Sequence, residues 1–154
     1  MIELFSMTLA DALLVVGKMR ENDRAAMRAA LGDVTDDVVA VNRWQTRGPA
    51  WVMTRDGQPV AICGLSMGSE WAATAWLITT NAMRADSWRK LVRHCRTVLS
   101  NMPRSTLHRI EAQVLDGWAE AGEFVRRMGF VLEGTRRRAG KGGEGFHVWS
   151  ILKE

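Results

Sequence analysis

The hydrophobic period changes near residue 50, and that change limits the folds open to this chain. Upstream, apolar residues recur at helical spacing. From Trp51 onward AWVMT and PVAICGLS are β-prone runs joined by RDGQ, whose Asp56-Gly57 pair tolerates the positive φ angles of a tight hairpin turn. WAATAWLITT reads as a third strand over 71–79, so the simplest middle segment is a three-stranded antiparallel meander.

Helices are expected on either side of it. Thr8 and Asp11 have the spacing of a capping box, and Leu13, Val16 and Met19 follow on one face, predicting a helix over 9–20. DRAAMRAAL predicts a second that closes at Gly32. VTDDVVAVNRWQTRG is ambiguous, but Val38, Val41 and Trp44 tip it towards a short helix ending near Gly48. After the meander, Trp88, Leu91, Val92, Cys95 and Leu99 form one apolar stripe with arginines opposite, capped by Asp86 or Ser87 and ended by Pro103. HRIEAQVLD then alternates as a strand over 109–115. A helix follows with Trp118, Ala121, Phe124 or Val125, and Met128 inward. FVLEGT, the basic loop RRRAGKGGEG and a closing strand FHVWSILK complete the chain. That loop is the segment expected to be most mobile.

The 154 residues, 47% hydrophobic, suit one domain over 1–154. Polar residues interrupt the apolar start, so neither a signal peptide nor a membrane span is expected, and the expected location is the cytoplasm. Cys63 and Cys95 fit buried thiols of a reducing compartment, and two cysteines exclude a cysteine-rich structural zinc site. Net charge is +4, but residues 84–96 and 126–144 each carry +4, leaving the remainder near −4. These basic segments suit phosphate. Nucleic acid is the least favoured partner, because no recognition motif accompanies Arg126, Arg127, Arg136, Arg137, Arg138 and Lys141.

In EFVRRMGFVLEG a helix must turn abruptly into a strand, which calls for a residue free to take φ > 0; Gly129 supplies it, and Phe130 can pack back on the helix. This junction and the order of elements resemble the GNAT N-acetyltransferase superfamily over about residues 9–152. Ala121, Phe124, Gly129 and Phe130 stand where that superfamily has a helix alanine, a bulky apolar residue and a Gly-Phe opening the sixth strand. WLITT, the basic helix behind it and FVRRMGFVLEG also resemble the internal virion protein A family of short-tailed bacteriophages, a GNAT-like branch.

The resemblance implies an α+β (mixed α/β) fold with a mostly antiparallel sheet of six to seven strands flanked by helices. It implies acetyl transfer from acetyl-CoA to an amine acceptor, or a non-catalytic virion or assembly protein that contacts phage structural proteins. Coenzyme contacts would fall on Ile78, Thr79, Arg84, Ser87 and Arg89. The match is incomplete. The superfamily's glycine-rich pyrophosphate loop corresponds to residues 80–87, which contain no glycine, and an ionised Asp86 there would repel a pyrophosphate. Val125 replaces the tyrosine that protonates the leaving thiolate, Trp118 replaces an asparagine, and the chain has no tyrosine. A carboxylate acting through water remains open as general base: Glu70, Glu111 or Asp116, of which Asp116 is best placed at a strand end. His94, His108 and His147 show no metal-ligand spacing and no adjacent carboxylate, so no metal is expected. Ser66 in GLSMG has strand-turn-strand flanks that do not suit a nucleophile elbow.

Overall fold

The computed structural model describes residues 1–102 and 106–153. Seven strands form one sheet in the order β1-β2-β3-β4-β5-β7-β6, antiparallel throughout except between β4 and β5. The meander is as expected: β2 (Ala50–Arg55), β3 (Gln58–Met67) and β4 (Ala72–Thr79), with Asp56 at φ 50° and Gly57 at φ 80° turning the hairpin. β5 (Arg109–Leu115), β6 (Val131–Arg136) and β7 (Phe146–Leu152) build the second half.

The first strand is the largest departure from the expected order. β1 (Ile2–Ser6) pairs along β2 from Ile2 opposite Arg55 to Ser6 opposite Trp51. Five residues with exposed alternate positions carry too little apolar signal to stand out; the edge of β2 selects them. Thr8 then caps α1 (Leu9–Gly17), its Oγ accepting from Asp11 N at 3.2 Å while Asp11 Oδ2 accepts from Thr8 N at 2.9 Å. α1 stops three residues before the expected end because Met19 bridges Thr80 and Arg20 N donates to Thr79 O at 3.0 Å. Backbone pairing with β4 replaces the last helical turn.

α1, α2 (Glu21–Leu31) and α3 (Asp36–Gln45) lie on one face, where Val15, Val16, Val39 and Ala40 pack on Val52, Ile62 and Ile78. α4 (Ala85–Ser100) and α5 (Ala119–Arg127) cover the other, against Leu65, Ala73, Ile110 and Ala112. The cap of α4 is Arg84 rather than Asp86 or Ser87, and those two lie in its first turn. α4 ends at Ser100; Pro103, the expected stop, lies outside the described residues.

α5 ends as its sequence requires. Gly129 takes φ 99°, its N–H reaches Arg126 O at 3.0 Å, and Phe130 N reaches Val125 O at 3.1 Å. These two bonds are a Schellman turn, which buries Phe130 beside Met128. The basic loop between β6 and β7 is anchored rather than loose: Lys141 N donates to Ala29 O at 2.9 Å, and Lys141 Nζ pairs with Asp33. No helix among the described residues is long and apolar enough to cross a membrane.

Candidate active site

β4 and β5 pair in parallel only at Ala72, Ala73 and Thr74 opposite Arg109, Ile110 and Glu111. Beyond that point the strands part, and residues 75–79 face 112–115 without a ladder between them. A cavity of about 890 Å³ occupies the gap, with Ala75, Trp76 and Leu77 on one side and Ala112, Gln113 and Val114 on the other. Two facing strand edges with unused backbone donors and acceptors are a receptor for an extended, amide-bearing chain.

At the far end of β4 the chain crosses its own gap. Thr80 N donates to Val60 O in β3, so Thr79 O, in the same trans peptide, points to the opposite edge, and there it accepts from Arg20 N. Arg20 Nε donates to Asp23 Oδ2 at 3.2 Å, and Thr79 Oγ1 donates to the same oxygen at 3.1 Å. The Arg20 guanidinium also lies 5.3 Å from the ring centre of Trp88, which meets Phe124 edge-on at 5.7 Å. Asp23 is a cavity-wall residue only 5% exposed. Burial raises its carboxyl above the usual aspartate value, although Arg20 and Thr79 pull it down. A desolvated carboxylate with a raised pKa is a better proton acceptor than one in water. Sequence reasoning missed Asp23, because an acid in the first turn of a helix looks like an ordinary dipole partner. Its burial depends on Thr79, 56 positions away.

The start of α4 is occupied by the protein itself. Arg55 Nη1 donates to Asp86 Oδ1 at 2.6 Å and to Ser87 Oγ at 3.1 Å, and Ser87 N donates to Asp86 Oδ1 at 2.8 Å. The hydrogen bond from Arg55 holds the Asp86 carboxyl below the usual range. Arg84 folds back, giving Nη1 to Asn81 O at 2.9 Å. Arg89 is exposed, Ile78 and Thr79 are buried in β4, and Ser87 is fully buried. None of these five lines the cavity; Thr79 touches it through Asp23.

Val125 and Trp118, where the superfamily's tyrosine and asparagine would stand, both line the cavity. Asp116 lies outside it, beyond the end of β5, with its side chain 61% exposed. Contrary to the expectation that no histidine has a carboxylate neighbour, His147 Nε2 is 3.0 Å from Asp116 Oδ1, and His147 Nδ1 is 2.8 Å from Thr135 Oγ1. The contact crosses from the end of β5 to β7, a juxtaposition made by strand pairing. Glu111 is tied to Arg109 at 2.9 Å, and Glu70 is exposed in the turn before β4. His94 lines the cavity against Trp51, ring centres 4.8 Å apart, and burial lowers its pKa. Cys63 and Cys95 are free thiols in the cavity wall; a hydrogen bond with Cys95 and burial push Cys63 up. No group of three or more metal-ligating side chains occurs among the described residues.

This architecture is the GNAT N-acetyltransferase fold. The ribosomal-protein-S18-alanine N-acetyltransferase of Escherichia coli superposes with a TM-score of 0.70 at 17% identity, covering 100% of this chain and 95% of that one. The ribosomal-protein-alanine N-acetyltransferase of Brucella melitensis gives 0.70 at 18% identity, over 97% and 99%. yncA of Salmonella typhimurium, solved with its cofactor acetyl-CoA, gives 0.72 at 15% identity, over 99% and 94%. No protein-family model matches the chain, and no curated protein matches it by sequence. Likeness at these identities establishes the fold, and activity must be argued from the site.

Proposed function

We propose that the chain is an acyl-CoA-dependent N-acyltransferase that passes an acetyl group from acetyl-CoA to an amine by direct attack. The observation that carries this reading is the parting of β4 and β5 over a cavity walled by a buried carboxylate. The pantetheine arm is extended and carries two amides, so it suits the free strand edges. In the reaction, the neutral amine attacks the thioester carbonyl, the C–N bond forms, and the C–S bond breaks. Asp23, directly or through one water, accepts the proton shed by nitrogen. Val125 has no proton to give, so the departing thiolate takes one from solvent. Such a site supports slow turnover, because the leaving group is unassisted.

The phosphate end fits less well. An anion approaching the start of α4 meets Asp86, to which Arg55 and the Ser87 N–H are already bonded. This favours a second reading, a GNAT-like scaffold without catalysis, of which a phage virion component is one form.

Calorimetry with acetyl-CoA, alongside desulfo-CoA and dephospho-CoA, tests the first reading. Micromolar binding that survives loss of the 3′-phosphate supports it, with affinity coming from the arm in the gap. Absence of binding at millimolar coenzyme overturns it in favour of the scaffold.

A further inference from the structure

Arg43 is the one guanidinium of the cavity wall with neither a carboxylate nor a carbonyl partner among the described residues. It projects from α3 onto Trp76, its Cζ 5.2 Å from the indole ring centre. Its Nε is sealed from solvent without an acceptor. The other arginines lining the cavity are engaged: Arg20 by Asp23, and Arg127 by Glu123 at 3.1 Å. Burying a cation without a counter-ion is expensive, and burial accordingly depresses the Arg43 pKa. Trp76 can occupy this place because residue 64 is glycine; a Cβ there would come to 2.7 Å from the indole. Nε is the sealed atom of the guanidinium, and Nη1 and Nη2 are the donors left for a ligand.

From this we infer that Arg43, held on Trp76, binds the carboxylate of the acceptor, so that the amine substrate is a small aminocarboxylate. A planar carboxylate accepts two parallel bonds from the guanidinium edge. Phosphate can take the same fork, but Arg20 is committed to Asp23, so the wall offers a single cation, which a singly charged carboxylate matches. The cavity has to hold the acyl arm as well, so the part of the acceptor inside it is small, and a small aminocarboxylate fits that space whole. With its carboxylate on Arg43, the acceptor would share one wall with Asp23, since both residues lie on the α2–α3 side of the sheet.

This inference rests on the transferase reading for its meaning, but its test does not need the coenzyme. The Arg43 Nε–Hε resonance is followed by NMR while glycine and acetate are titrated in, against glycinamide, acetamide and inorganic phosphate. Glycine and acetate are expected to shift it saturably at millimolar concentration, and the two amides are expected to leave it unmoved. Arg43→Gln is expected to weaken glycine binding about tenfold or more, while Arg43→Lys, which keeps the charge and loses the fork, gives an intermediate loss. Circular dichroism of both variants confirms that they are folded. Equal response to acid and amide, a stronger response to phosphate, or glycine binding unchanged in folded Arg43→Gln overturns the inference. If acetyl-CoA fails to bind while glycine still shifts Arg43, the transferase reading falls and the carboxylate site stands.

Discussion

Two corners of the molecule each set an aspartate beside a strand that borders the gap, and they differ in nearly everything else. At the α1–α2 corner Asp23 is 5% exposed, bonded to Arg20 and Thr79, and raised in pKa. At the β5–α5 corner Asp116 is largely exposed and touches His147. Position at a strand end is what singles out Asp116 in the sequence, but its carboxylate faces water. Asp23 is made unusual by what covers it. Desolvation, rather than location along a strand, separates a candidate base from a surface acid.

The sharpest way to break this comparison is to neutralise each acid in turn. Asp23→Asn is expected to lower kcat by about 100-fold or more, the usual contribution of a general base, while Asp116→Asn leaves steady-state turnover within a factor of about two. The reverse order would move the base to the β5–α5 corner.

The burial of Asp23 can also be tested by pH. Because the folded pKa of Asp23 lies above its unfolded value, its ionised form costs stability in the folded state. That cost is absent below the unfolded pKa and grows as pH rises through the folded one. Thermal melts should therefore show Asp23→Asn gaining on the parent protein between acid and neutral pH. The turnover rate of the parent should fall as pH drops through the same raised value. A pH-independent difference in Tm would mean that Asp23 is not desolvated in solution.

Smaller effects sharpen the picture at the two ends of the gap. Val125→Tyr puts a phenolic hydroxyl on the cavity wall, and kcat should rise about tenfold if the leaving thiolate lacks an acid. Asp86→Asn removes the anion from the start of α4 and frees Arg55, so acetyl-CoA should bind severalfold tighter by calorimetry. The least effect is structural: Gly129→Ala forces a Cβ into φ 99° and should cost about 1 kcal/mol in denaturant unfolding without changing the cavity residues.

Much of the scaffold was legible along the chain because it is written in local rules. The Asp56-Gly57 hairpin, the apolar stripe of α4 and the Gly129-Phe130 turn depend on neighbours a few positions apart, and each forms where it was expected. The site was less legible. Val125 and Trp118 were marked through the family pattern and do line the cavity. Asp23, Arg43 and the contact between His147 and Asp116 gave no local signal.

By itself, then, the sequence determined the alternation of helix and strand, the meander and the helix-to-strand turn, since backbone propensity and side-chain period act over one or two turns. Only the tertiary structure decided that residues 2–6 become a strand, that α1 yields its last turn to Thr79 and Thr80, and that Asp23 and the Nε of Arg43 lose their water. Burial and strand pairing join residues far apart in the chain, and charge chemistry follows burial.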